Sequence, residues 1–304
     1  DFSLDLSFKP QKLEVLNTTF KDNELFYGQA YFSGIVKITG PFDKISIDVL
    51  GNTEKGTMLN LPLYTTSTVS QNKFIVFKNL SQDTIVMENV DLGGVDVNLD
   101  IMVTPDAVAQ IVFDPKVGDI IRGSVDGRLR IVTNDKGDLA MFGNLTVVKG
   151  DYLFTLENVI NKKFYIEPGG SISWSGDPYQ GQLDVTARYE VKTSLYPILY
   201  VIDESELYKR KVPVYCMMHL KGNLFNPDIK LDIVLPEADE TTQNLFKTIV
   251  NSEEEINKQV FALLLFGSFI PKTGGVAGNA IPGGASITSF EMLSSQFSHW
   301  LSQI

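Results

Sequence analysis

From Tyr31 to Leu235 the chain alternates apolar and polar residues at a period of two, and almost none of it carries a helical period. Alternation of this kind sends successive side chains to opposite faces of a strand. The pattern is cleanest from Val95 to Val103. Its odd positions Val95, Val97, Leu99, Ile101 and Val103 are all apolar, and three of the four residues between them are Asp or Asn. Nine residues at ~3.3 Å each make a strand about 30 Å long.

The same habit recurs at Tyr31 to Ile38, Lys44 to Val49, Ala109 to Phe113, Gly123 to Ile131 (with Leu129 and Ile131 inward) and Leu139 to Val148 (with Leu145 and Val147). It continues through Leu183, Val185 and Ala187, then Val212 to Leu220, and Ile229, Leu231, Ile233 and Leu235. Phe74 to Phe77 and Thr84 to Met87 are shorter candidate strands. A loose repeat of strand, proline turn and alternating strand links Gly34–Val49 to Gly222–Leu235 and points to growth by stacking.

The pattern changes at Pro236. Glu237 to Val250 is expected to form a helix. Ser252 ahead of Glu253, Glu254 and Glu255 looks like the capping box of a second, stopped by Gly267 and Pro271. A Gly-rich linker fills 271–286. Phe290, Leu293, Phe297, Trp300, Leu301 and Ile304 then recur at spacings of three and four, the pattern of an amphipathic helix facing a partner surface. The expected organisation is a β-rich region at 1–236 and a helical tail at 237–304.

Chemistry is sparse. A net charge of −11 with no Lys/Arg block disfavours nucleic acid. Two histidines and the single Cys216 cannot build a typical His/Cys zinc site or an internal disulfide framework. No nucleophile elbow, phosphate loop or dinucleotide fingerprint is present. Asp96, Asp100, Asp126, Asp151, Asp177 and Asp184 could supply the acid/base pair of a polysaccharide-cleaving β-repeat enzyme, but each sits at a polar strand position or in a turn, where a solvated Asp is the plainer reading. No catalytic residue, metal or cofactor is expected. The longest apolar run, Val260 to Ile270, is about half of the ~20 residues of a membrane-spanning helix. The abrupt ends suggest a fragment of something longer.

The apolar face itself is the abundant feature. With no crossover helices before Pro236 it must meet another face, a ligand, or a second molecule. A closed sandwich, a barrel and a sheet folded over an elongated groove all satisfy this.

One stretch narrows the choice. Between Gly143 and Tyr189 stand Gly150-Asp151-Tyr152, Phe164, Ile166, Pro168-Gly169-Gly170, Ile172, Trp174, Gly176-Asp177-Pro178-Tyr179, Leu183-Asp184, Ala187 and Tyr189. This order resembles the C-terminal domain of TamB proteins, AsmA-like bridge-type proteins of the Gram-negative envelope. Ala262 to Phe266 and Leu293 to Phe297 look like the Bacteroidota branch. The firm resemblance covers roughly residues 95 to 304, and the first ninety match only in strand grammar.

The resemblance implies an all-β fold: an elongated antiparallel sheet folded lengthwise, taco-like, over an apolar groove, with short C-terminal helices. It implies a non-enzymatic protein reaching across the periplasm from an inner-membrane anchor to an outer-membrane Omp85-family barrel, with roles in phospholipid transport and outer-membrane protein assembly. Gly150, Gly169, Gly170 and Gly176 would allow turns. The expected groove lining is the set of apolar positions named above together with Ile172 and Trp174. Phe290, Leu293, Phe297, Trp300 and Leu301 would contact a partner.

Overall fold

A computed structural model describes residues 2–23, 26–42, 44–62, 95–114, 119–133, 138–156, 160–200, 202, 205–224, 226–271 and 287–301. The candidate strands at Phe74 to Phe77 and Thr84 to Met87, and nearly all of the Gly-rich linker, lie outside the described residues.

Among the described residues one sheet of 14 strands dominates the fold. The first group is β1 (Ser3–Phe8), β2 (Leu13–Thr18), β3 (Tyr27–Pro41), β4 (Ile45–Thr53), β5 (Met58–Pro62), β6 (Val95–Val103) and β7 (Val108–Asp114). The second is β8 (Asp119–Thr133), β9 (Leu139–Leu156), β10 (Ile160–Ile166), β11 (Ser171–Gly176), β12 (Gln182–Ser194), β13 (Lys211–Asn223) and β14 (Asn226–Val234). A one-turn helix, α1 (Tyr196–Leu199), interrupts the series, and α2 (Glu240–Ile249), α3 (Glu253–Phe266) and α4 (Ile287–Leu301) follow it.

The all-β expectation holds, but the sheet is mixed rather than purely antiparallel. β4 pairs in parallel with β6, and β5 in parallel with β7. Strict alternation dictates which face a residue joins, and either strand direction satisfies it.

Several positions in the sheet hold two short strands end to end. β4 and β5 follow each other along β3, β6 and β7 along β8, and β10 and β11 between β9 and β12. Ile45 lies opposite Val95 and Pro62 opposite Val112, so the parallel pairing keeps one register straight through the interruption. The interruptions are four-residue turns at 54–57, 104–107 and 167–170. Thr57 N donates to Glu54 O at 3.1 Å, and Ala107 N to Thr104 O at 3.0 Å. Val108 N then donates across to Thr57 O at 2.9 Å and ties the two turns together.

At the same level β9 carries a bulge. Ser124 pairs with Lys149 and Val125 with Val147, which leaves Val148 extra. Gly169 N donates to Val147 O at 2.9 Å and Val147 N to Gly170 O at 2.7 Å, extending the line to the third turn. A bulge bends its strand and increases local twist. The aligned irregularities therefore form a crease that crosses the strands, and this is the line about which a sheet can fold lengthwise.

Gly150 corrects one expectation. It sits inside the 18-residue β9 rather than in a turn. A Cβ there would stand 2.7 Å from Arg122 O and 3.0 Å from Ile166 Cδ1, so the glycine serves close approach beside the bulge. Gly169, with φ +95°, does occupy a turn conformation that favours glycine.

The helices form where their caps are. Asp239 accepts from Thr242 N at 2.7 Å to open α2, and Ser252 Oγ accepts from Glu255 N at 3.2 Å to open α3. Three glutamates in the first turn of α3 complement its dipole. Gly267, with φ +68°, ends it, and its N–H donates to Leu263 O at 3.0 Å.

These helices pack on the sheet. A single core joins Tyr152, Phe154, Phe164, Ala187, Val214, Met218 and Ile233 of the strands to Phe246, Val260, Phe261, Leu264, Phe290 and Phe297 of the tail. Phe154 of β9 meets Phe297 of α4 edge-on, with centroids 6.4 Å apart, and Phe297 in turn lies 5.1 Å from Phe261 of α3.

Candidate functional site

Cross-strand register places the apolar positions read from the sequence on one continuous face. One row runs Val36, Val49, Leu99, Ile131, Met141. The next runs Gly34, Gly51, Ile101, Leu129, Gly143, Trp174. A third joins Val103, Gly127, Leu145, Ile172, Leu183 and Gly222. Further along, Val185 faces Leu220, Ala187 faces Met218, and Ile229, Leu231 and Ile233 face Leu220, Met218 and Cys216. Val95 and Val97 lie beside Ile45 and Ile47.

This face has two sections. On β6 and β8 the residues Val95, Val97, Leu99, Ile101, Val103, Leu129 and Ile131 are only half-buried. Beside them Leu6 and Phe8 of β1 are 50% and 42% exposed, although both belong to the apolar face. The inward positions from Phe32 to Gly40 on β3, and all those on β4, β6 and the 125–133 part of β8, carry Val, Ile, Leu, Phe, Gly or Thr and no charge. Backbone groups here are spent in the sheet, so this section offers apolar contact and little hydrogen bonding.

The other section is closed. Leu145, Val147, Leu183, Val185, Ala187, Leu231, Ile233 and Leu235 are buried, and Ile172, Trp174 and Ile229 are half-buried against the core. The tail covers this end of the face. Phe290 and Phe297 are 2% and 1% exposed, and Leu293 packs beside them, so these candidate partner residues are turned into the protein's own core. The side chains of Trp300 and Leu301 lie outside the described residues.

Sequence reasoning missed Gln259, which is fully buried in α3. Its Nε2 donates to Ile270 O at 3.0 Å and its Oε1 accepts from Ile270 N at 3.1 Å. The amide thereby satisfies a buried backbone and fixes the return after Gly267. Its place at the head of the apolar run Val260 to Ile270 was the available signal. Lys162 was missed as well. It shares the inward side of β10 with Ile160 and Phe164, and its ammonium lies 5.7 Å over the Tyr189 ring.

Apart from Lys162, the paired charges lie on the opposite face. Lys44–Asp96, Lys163–Asp151, Arg188–Glu167 and Lys221–Asp184 pair at 3.8, 3.5, 3.0 and 3.2 Å. Arg128 grips Asp100 through Nε and Nη2 of its guanidinium, and that pairing holds the Asp100 carboxyl below the usual carboxylate range. Exposed pairs of this kind add little stability. They keep the outer face wetted. Asp177 caps the short 3₁₀ turn Pro178–Gln180 by accepting from Tyr179 N at 2.9 Å. Trp174 Nε1 donates to Pro178 O at 3.1 Å, and its ring lies over Gly181. The aspartates weighed for acid/base work thus have outward or capping roles.

Among the described residues no group of three or more His, Cys, Asp or Glu could hold a metal ion. Among them, too, no helix is long and apolar enough to cross a membrane. A cavity of about 200 Å³ lies at the β14 edge, between Asp232–Leu235 and Gln243, Phe246, Lys247, Val250 and Ile256.

The family model of the TamB C-terminal domain matches residues 1–304, the first ninety residues included. No curated protein matches the chain.

Proposed function

The chain belongs to the TamB C-terminal domain family of Gram-negative envelope proteins, and on that premise we propose that the open section of its apolar face carries phospholipid acyl chains. The observation that carries this reading is the uncharged inward face of β3 from Gly34 to Gly40, of β4, of β6 and of the 125–133 part of β8, half-buried throughout and set against an outer face of ion pairs. A hydrocarbon chain needs continuous apolar lining and no hydrogen-bond partners. Each methylene withdrawn from water contributes roughly 0.8 kcal/mol. Along a uniform lining that gain is nearly constant, so sliding meets small barriers. The headgroup stays at the polar rim.

In this reading Val95, Val97, Leu99, Ile101, Val103, Leu129 and Ile131 touch lipid. The protein works in the periplasm, on a path from the inner membrane to an outer-membrane Omp85-family barrel. Native mass spectrometry of the purified protein tests it directly, with bound phospholipid as the expected result. Leu99→Arg is expected to abolish lipid crosslinking while leaving the protein folded, because a half-buried position lets the guanidinium reach water. Protein that carries no extractable lipid and crosslinks to none refutes the reading.

A second reading rests on the sheet margin. Among the described strands β14 pairs with β13 alone, and a free edge recruits strands by β-augmentation. Docking to an outer-membrane barrel through that edge and the tail predicts copurification that is lost when residues after Pro236 are removed. Copurification unaffected by the deletion counts against it.

A further inference from the structure

We infer that the helical tail is an end-stop for acyl chains: lipid occupies the apolar face as far as β8 and is excluded from it beyond β9. This rests on the lipid reading above and adds where the path ends. Across the bulge in β9 the inward face continues from β8 through β9, β10 and β12 to β14, so the strands by themselves would line a path to the sheet's edge that is apolar except at Lys162. What differs is occupancy. Past β8 much of the wall is already covered, and its centre is dry. Phe154, Ile160, Phe164, Ala187, Val214, Cys216 and Met218 have no exposed surface at all. Their covering includes Phe261, Leu264, Phe290 and Phe297, which are themselves buried.

Protein interiors packed at crystal-like density have no room for an added hydrocarbon chain. The aromatic contacts are specific as well as dense. Phe297 spans from Phe261 to Phe154, and Phe290 lies 5.5 Å from Phe261 and 5.7 Å from Phe266. The Gln259 bonds to Ile270 fix the return after α3 within the tail itself, so the cover is held together as one piece. Displacing it would expose the apolar surface of both the wall and the tail. The open section presents the reverse case, with apolar side chains half-exposed and no inward charge. The occupant there is hydrocarbon rather than peptide, because a face with no free hydrogen-bonding groups cannot satisfy an extended backbone. Lipid that reaches β8 leaves sideways, over the strand ends, and does not pass out at β14.

The test maps lipid contact along the face. The photoreactive residue benzoylphenylalanine is placed at Leu99 or Ile131 in the open section, and at Tyr189 or Ile229 in the covered one. All four positions are half-buried, so each tolerates the larger side chain. The protein is incubated with vesicles of phosphatidylethanolamine and phosphatidylglycerol, irradiated and analysed by mass spectrometry. Adducts are expected at Leu99 and Ile131. At Tyr189 and Ile229 the yield is expected to fall about tenfold or more, the factor that loss of only two methylene contacts produces. Adducts of equal yield at all four positions overturn the end-stop and leave the lipid reading standing. Adducts at none of them refute the lipid reading and the end-stop with it.

Discussion

The docking of α4 on β9 can be measured as a coupling energy. Phe154 and Phe297 are 0% and 1% exposed and meet at 6.4 Å with their planes at 73°. Replacing either by Leu keeps the site apolar but removes about three carbons and the ring quadrupole. Each single substitution should cost roughly 2 kcal/mol in transfer and cavity energy. An edge-to-face pair contributes about 0.5–1.5 kcal/mol beyond area burial. Phe154→Leu combined with Phe297→Leu should therefore cost less than the two separate losses by about that amount. Urea unfolding followed by circular dichroism supplies the four stabilities of the cycle. Phe246→Leu is the control, since its ring packs on Phe269 with centroids 5.5 Å apart. The control pair should be additive to within about 0.5 kcal/mol. If the Phe154/Phe297 pair is equally additive, α4 is not seated on the sheet, and the end-stop loses its physical basis.

Three further predictions concern single groups. The Thr242 backbone N–H bonded to Asp239 holds that carboxyl below its ordinary range, so the contribution is complete above the unfolded value of about 3.9 and is lost as pH falls through the lower folded value. Asp239→Asn keeps a capping oxygen without the charge, so the fall in Tm between pH 7 and pH 3 should shrink; an unchanged fall refutes the assignment. Burial pushes the Cys216 thiol up to about 12, so at pH 8 the native protein should resist maleimide and label only along its unfolding curve. Labelling of native protein at the unfolded rate would contradict this. Gly181→Ala puts a Cβ 2.6 Å from Trp174 Nε1, which should shift the ring, break its bond to Pro178 O and cost about 1–3 kcal/mol. An unaltered tryptophan emission spectrum would show that the ring has room to spare.

The alternation at Val95, Val97, Leu99, Ile101 and Val103 was enough to assign a strand and to say that these five residues share a face. Ser252, its three glutamates and Gly267 likewise located both ends of α3. Such features are legible because their causes are local: pleat period, a side chain capping its own turn, and a backbone angle that favours glycine. Gly150 misled because the same residue serves turns and close approach, and only its neighbours Arg122 and Ile166, 28 and 16 positions away, distinguish the two.

The sequence alone determined that a long apolar wall exists, which residues line it, and that its outer side is charged. The tertiary structure decided the parallel pairing of β4 with β6, the alignment of turns and bulge into one crease, and the division of the wall into open and covered sections. Leu99 and Ile233 occupy equivalent places in the alternation, yet the first is half-exposed and the second is buried beneath the protein's own core. Periodicity reports only the face on which a side chain stands. What covers that face depends on contacts between residues as distant as Phe154 and Phe297, and no local pattern encodes them.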